Sequence, residues 1–208
     1  MIKYILPISF LVLCLTVVSC KGKSSIENEA FLDYEKYDLS YEEGDKNLLD
    51  ILDKEEDLIV SDGIIDSIKP VIIEFNRINQ LSKWAEISII EFTTETGKGT
   101  TKLYYNEKQE VEKIIVRKYT EEQQSLDVYY LKDEQLVLKV NQSLMYNIDI
   151  DNENFSKDKS DYIKECNYFL NGELMSIMNN QDCGAPFAQN YLEEVEKEIK
   201  EEVKRLVS

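Results

Sequence analysis

The residues able to do covalent chemistry in this 208-residue chain are few: cysteines at 14, 20, 166 and 183, and no histidine at all. Without histidine there is no ordinary general base near neutral pH, no imidazole metal ligand and no Ser/His or Cys/His nucleophile pair. Cys166 and Cys183 have no such neighbour to activate them, so thiol catalysis is not expected. What remains is carboxylate chemistry, with 41 Asp+Glu against 24 Lys+Arg and a net charge of −17. Two carboxylates can hydrolyse a glycosidic bond, which makes an envelope polysaccharide hydrolase an alternative reading. With so many acids, however, some pair always falls at a suitable spacing, and no catalytic residue is assigned. The charge excludes a nucleic-acid partner held by phosphate attraction.

Two further patterns have the flavour of ligand sites. Asn147, Asp149, Asp151, Glu153 and Asp158 place oxygens at alternating positions, as a calcium loop does. The turn glycine and the closing bidentate glutamate are both missing, so the expectation is a solvated acidic loop and no metal. Gly97-Lys98-Gly99-Thr100 lacks the earlier glycine of a phosphate loop and sits between two strand patterns. It reads as a turn, and no cofactor is expected.

The amino terminus carries the sharpest signal. Lys3 precedes an apolar run from Ile5 to Val18, broken by Pro7, Ser9 and Thr16, and followed by Ser19 and Cys20. The run is too short to span a bilayer as a helix but suits a cleaved export signal over residues 1–19. Val17-Val18-Ser19-Cys20 resembles the lipobox of bacterial lipoproteins. That resemblance implies that Cys20 is lipidated, becomes the first residue, and holds the chain to a membrane of a bacterial cell envelope, on a side the sequence does not specify. Several acyl chains on one residue hold firmly where one would not. Loss of Lys3 with the signal leaves 23 basic against 41 acidic residues, a charge of −18.

These groups must be positioned by the rest of the chain. From Glu27 to Asp57 thirteen acidic residues face Lys36, Lys46 and Lys54. Such a segment repels itself, so residues 20–60 read as an acidic tether, with Leu48, Leu49, Ile51 and Leu52 able to form a helical turn against the body. Ile68, Val71, Ile72, Phe75 and Ile78 recur at helical spacing. Pro70 is expected to confine the main helix to 68–83, with Ser67 as its cap. Residues 85–179 are β-branched and aromatic runs between polar turns, predicting strands near 85–94, 100–106, 111–119, 125–132, 136–143, 162–170 and 173–179. One face of this sheet is expected to be buried and the other wet. From Pro186 to Val207, Phe187, Tyr191, Val195, Ile199, Val203 and Leu206 form a helical stripe, with Asn190 and Glu193 at capping-box spacing.

A weak repeat runs through the strands: Leu103-Tyr104-Tyr105 before Glu110-Val111, Val128-Tyr129-Tyr130 before Gln135-Leu136, and Asn167-Tyr168-Phe169 before Glu173-Leu174. Each unit reads as a hairpin. They resemble the tyrosine-rich hairpin repeats of secreted bacterial proteins, the MORN-like group among them, with most of the characteristic glycines absent. The expected fold is α+β: a single domain over 61–208, in which a curved antiparallel meander of six or seven strands carries an N-terminal and a C-terminal helix. Cys166 and Cys183, exported together, are expected to form a disulfide. The function expected is a non-enzymatic binding or structural role at the envelope. A basic protein or a glycan is the candidate partner, and inhibition of a cationic protein is one form that role could take. Tyrosines would serve a glycan only if one of each pair were exposed, and cross-strand packing is the plainer use for them.

Overall fold

The structure is a computed structural model, described here for residues 48–181 and 187–208. The signal segment, Cys20, the tether as far as Asn47, and Cys183 lie outside the described residues.

Seven strands follow one another without a crossover: β1 (Glu86–Thr93), β2 (Gly97–Tyr105), β3 (Val111–Thr120), β4 (Gln123–Lys132), β5 (Gln135–Met145), β6 (Asp161–Leu170) and β7 (Glu173–Asn179). They form one antiparallel sheet in sequence order, as the alternation and turn residues predict. α1 (Ile65–Asn79) precedes the sheet and α2 (Gln189–Leu206) follows it.

The weak repeat has a structural meaning. The register shifts once between Tyr104 and Tyr105, once between Tyr130 and Leu131, and once between Tyr168 and Phe169. Each bulge stands just before a turn with positive φ, at Gln109, at Asp133-Glu134 and at Asn171-Gly172. Successive strand residues point to opposite faces, so Tyr104, Tyr130 and Tyr168 enter the core on one face while Tyr105, Leu131 and Phe169 pack on the other.

That two-sided packing corrects the expectation of a wet face. α1 lays Ile68, Val71, Phe75 and Ile78 on Ile115, Leu126, Val128, Tyr130, Leu138 and Val140. On the opposite face, Ile199 and Val203 of α2 join the core of Leu103, Ile114, Val116, Tyr129, Leu136 and Ile177. Tyr104, Tyr129, Tyr130 and Tyr168 are all buried, so these repeat tyrosines are core packing and form no exposed row.

Local expectations are corrected in four places. Pro70 lies inside α1, near its start on the exposed side, and the helix runs 65–79; its N-terminal cap residue is Ile64 and not Ser67. Gly97 and Gly99 stand within β2, and the turn precedes them. A Cβ at Gly99 would lie 2.3 Å from the Arg117 carbonyl oxygen and 2.4 Å from Phe92 Cζ, so glycine is needed there for close approach, with the cross-strand Phe92 ring filling the space. α2 starts at Gln189 after Ala188, with Asn190 inside the helix, so no capping box forms. Residues 48–60 belong to the body. Leu49, Leu52 and Leu58 are buried in the α1-side core, and the sheet holds this strap by its backbone. Gln142 Nε2 donates to Asp50 O at 3.1 Å, Tyr168 OH to Ile59 O at 2.7 Å, Arg117 to Leu49 O at 3.0 Å, and Lys164 to Asp57 O. The strap is extended apart from a short 3-10 turn at Glu55–Asp57, because sheet side chains satisfy the carbonyls that a helical turn would have satisfied internally.

Candidate functional site

The densest chemistry among the described residues lies under α2. Asp127 on β4 and Lys139 and Asn141 on β5 share the α2 face, since Asp127 pairs with Asn141 and Tyr129 with Lys139. Lys139 Nζ sits 3.4 Å from Asp127 Oδ1 and 3.0 Å from Glu202 Oε2 of α2. Lys118 Nζ lies 3.8 Å from each of the same two carboxylates, and Asn141 Nδ2 donates to Asp127 Oδ1 at 2.9 Å. Two cations and two anions thus balance, and Lys139 lies 5.1 Å above the Tyr129 ring.

Burial works against the charge of Lys139, yet Asp127 and Glu202 outweigh it and raise its pKa. Burial would likewise lift Glu202, but Lys139 and Lys118 hold it below the usual carboxylate range. Glu74 and Glu196 are also held low against the pull of burial, the first by Lys132 and Arg77, the second by Lys200. A glycosidase acid needs a carboxyl raised toward neutrality, the opposite shift. The hydroxyl of Tyr129, buried and facing Asp127 and Glu202, stays protonated far beyond its ordinary range.

Beside this quartet a groove of about 580 Å³ runs between α2 and β5–β6, lined by Glu165, Asn167, Tyr191, Glu198 and Glu202. Asn167 donates Nδ2 to Glu165 Oε1 at 3.0 Å, and its buried Oδ1 has no partner among the described residues. At the loop end of the sheet a wider groove of about 1100 Å³ is rimmed by Glu95, Glu121, Glu122, Asp149 and Asp151 with Lys98. The acidic loop there is spent on its own backbone: Asp149 Oδ1 accepts from the N–H of Asp151, Asn152 Oδ1 from that of Asn154, and Asn147 Oδ1 from that of Ser156. Among the described residues no group of three or more Cys, Asp or Glu side chains is arranged to hold a metal.

On the opposite face Lys113 is buried beneath the end of α1. Its Nζ donates to Asn79 Oδ1 at 2.7 Å and lies 5.3 Å from the centre of the Tyr130 ring. Burial pushes its pKa from 10.5 down to about 7, with Asp53 opposing. Nearby, Lys132, Glu74, Arg77, Glu112, Asn106 and Glu110 form one hydrogen-bonded chain from α1 to the hairpin tips.

Of the site residues read from sequence, Cys166 is placed and Cys20 and Cys183 are not. Cys166 carries a free thiol with no exposed surface, and burial pushes its pKa up. Its expected partner, Cys183, lies outside the described residues. The Cys166 side chain lies in the α1-side core under the strap. The buried ions were missed in sequence. The available signal was Lys113 and Arg117 alternating with Ile115 along a strand whose two faces are both apolar.

No protein-family profile matches this chain, and comparison with curated proteins and with solved structures finds no significant relative.

Proposed function

We propose that this chain is a lipid-anchored protein of a bacterial cell envelope, tethered through Cys20, whose acidic body binds a basic partner without catalysing a reaction. The observation that carries the anchor is the coincidence of a short apolar run with Val17-Val18-Ser19-Cys20. No helix among the described residues is long and apolar enough to cross a membrane. The binding reading is supported by the state of the buried ions. Asp127 and Glu202 are engaged by Lys139 and Lys118, and the displaced carboxylates are displaced downward, which suits structural pairing over acid catalysis. A body this acidic meets a cationic protein quickly and in a salt-sensitive way.

The test is fractionation of cells grown with labelled palmitate. The wild-type chain is expected in the membrane fraction with label, and Cys20→Ser is expected to lose the label and leave that fraction. A Cys20→Ser chain that keeps both would remove the lipid-anchor reading.

A further inference from the structure

The feature the sheet leaves unfinished is its first edge. β1 pairs with β2 and closes the sheet order, so its other side has no strand neighbour among the described residues. Thr94 N–H donates to Gly97 O at 2.7 Å. Antiparallel alternation then turns the N–H and C=O groups of Ser88, Ile90 and Phe92 toward β2 and those of Ile87, Ile89, Glu91 and Thr93 outward. Natural edges are blunted by bulges, proline or lysine. Here the register runs unbroken from Glu86 to Thr93, and the stretch Trp84–Gly97 contains no proline, lysine or arginine. Ile89 is 45% exposed and Ile90 49%, and as neighbours in a strand they point to opposite faces. An incoming strand would meet an apolar side chain on each face together with a row of backbone groups that have no strand partner among the described residues. The far edge differs, since β7 is bulged at its start and packed by α2.

We propose that the β1 edge is a docking site that accepts, by antiparallel strand addition, an extended segment of a basic protein that carries lysine or arginine together with β-branched residues on both of its faces. The local charge selects this occupant. The stretch Trp84–Gly97 carries Glu86, Glu91 and Glu95 and no cation, so an incoming strand gains by placing positive side chains beside them. A second copy of this chain would bring the same three glutamates and a further charge of −17 against its twin. Backbone pairing along Ile87–Thr93 provides affinity, Ile89 and Ile90 provide apolar contact, and the glutamates provide selection against acidic strands. The inference rests on the binding reading above and names the surface that does the binding.

The experiment is site-resolved amide hydrogen exchange on the full chain in detergent, alone and with two probes: a peptide repeating Lys-Lys-Val-Val, which as a strand shows lysine and valine on both faces, and its counterpart repeating Glu-Glu-Val-Val. Alone, the outward amides of Ile87, Ile89, Glu91 and Thr93 are expected to exchange about 100-fold faster than those of Ser88, Ile90 and Phe92. The lysine peptide is expected to slow the outward four by at least about tenfold, saturably, and the glutamate peptide to leave them unchanged. The double variant Glu86→Lys, Glu91→Lys, altering exposed side chains that the fold does not need, is expected to reverse that preference. Outward amides already protected without peptide would overturn the proposal, a concentration dependence identifying a second copy and its absence the chain's own residues as the occupant. Equal protection by both peptides, or a preference unchanged in the double variant, would overturn it as well. Salt-sensitive capture of a cationic protein with the outward amides still unprotected would overturn this surface and leave the binding reading standing. Failure of both would remove both.

Discussion

Replacing Lys113 by methionine tests the account of the buried ions most sharply, because the effect should change sign with pH. An unfolded lysine keeps its proton up to about pH 10.5, whereas in the folded chain burial lets it go near pH 7. Between those values the unfolded chain binds more protons, so the wild type gains stability as pH rises. A gap of about 3.5 pH units at 1.36 kcal/mol per unit penalises the folded lysine by about 4 kcal/mol at pH 7 and about 1 kcal/mol at pH 10. Methionine removes that penalty but leaves Asn79 Oδ1 without its donor, a loss of about 2 kcal/mol. Lys113→Met should therefore be more stable than wild type by about 2 kcal/mol at pH 7 and less stable by about 1 kcal/mol at pH 10. Urea unfolding of both proteins at pH 7, 8, 9 and 10 reads this, and groups common to both cancel in the difference. A difference that stays constant to within about 0.5 kcal/mol over that range would mean that Lys113 keeps its proton in the folded chain.

Other substitutions probe other parts. Lys139→Met leaves Asp127 and Glu202 facing one another under α2 with only the half-exposed Lys118, 3.8 Å from each, and should destabilise by about 3 kcal/mol in urea unfolding; a loss under about 1 kcal/mol would mean the quartet is held by solvent. Because Glu202 titrates below its unfolded value, its contribution is present above the usual carboxylate pKa and lost as pH falls through the folded one, so Glu202→Gln should flatten the acid limb of the stability curve. Gly99→Ala must move the Arg117 carbonyl or the Phe92 ring and should destabilise by about 2 kcal/mol, seen as a lower melting temperature, while Gly63→Ala, which meets nothing within 4 Å, should not. Cys166 should resist alkylation in native buffer and react fully in denaturant without prior reduction; a requirement for reductant would show that it is bridged.

How far the sequence could be read follows from which forces are local. All seven strands and both helices are legible, because β-branched runs, turn residues and helical periodicity are properties of neighbouring residues. Tyr129 and Tyr130 illustrate what is not. Alternation says that they point to opposite faces, but only the placement of α1 and α2 says that both faces are dry. Pro70 reads as a helix break, yet α1 continues through it on its exposed side, where Asp66 is also exposed and water can take the place of the missing N–H. The strap at 48–60 is acidic enough to pass for solvated tether, and its burial depends on distant donors, Gln142 and Tyr168 among them. Asp127, Lys139 and Glu202 come together from β4, β5 and α2, and no short spacing encodes that meeting.

Attachment through Cys20 is read from the intact mass of the protein extracted from membranes. The expected mass is that of residues 20–208 plus covalently bound acyl chains, with the added mass mapping to the amino-terminal cysteine. A mass equal to the full unprocessed chain, or to a processed chain beginning elsewhere without acyl groups, would contradict it.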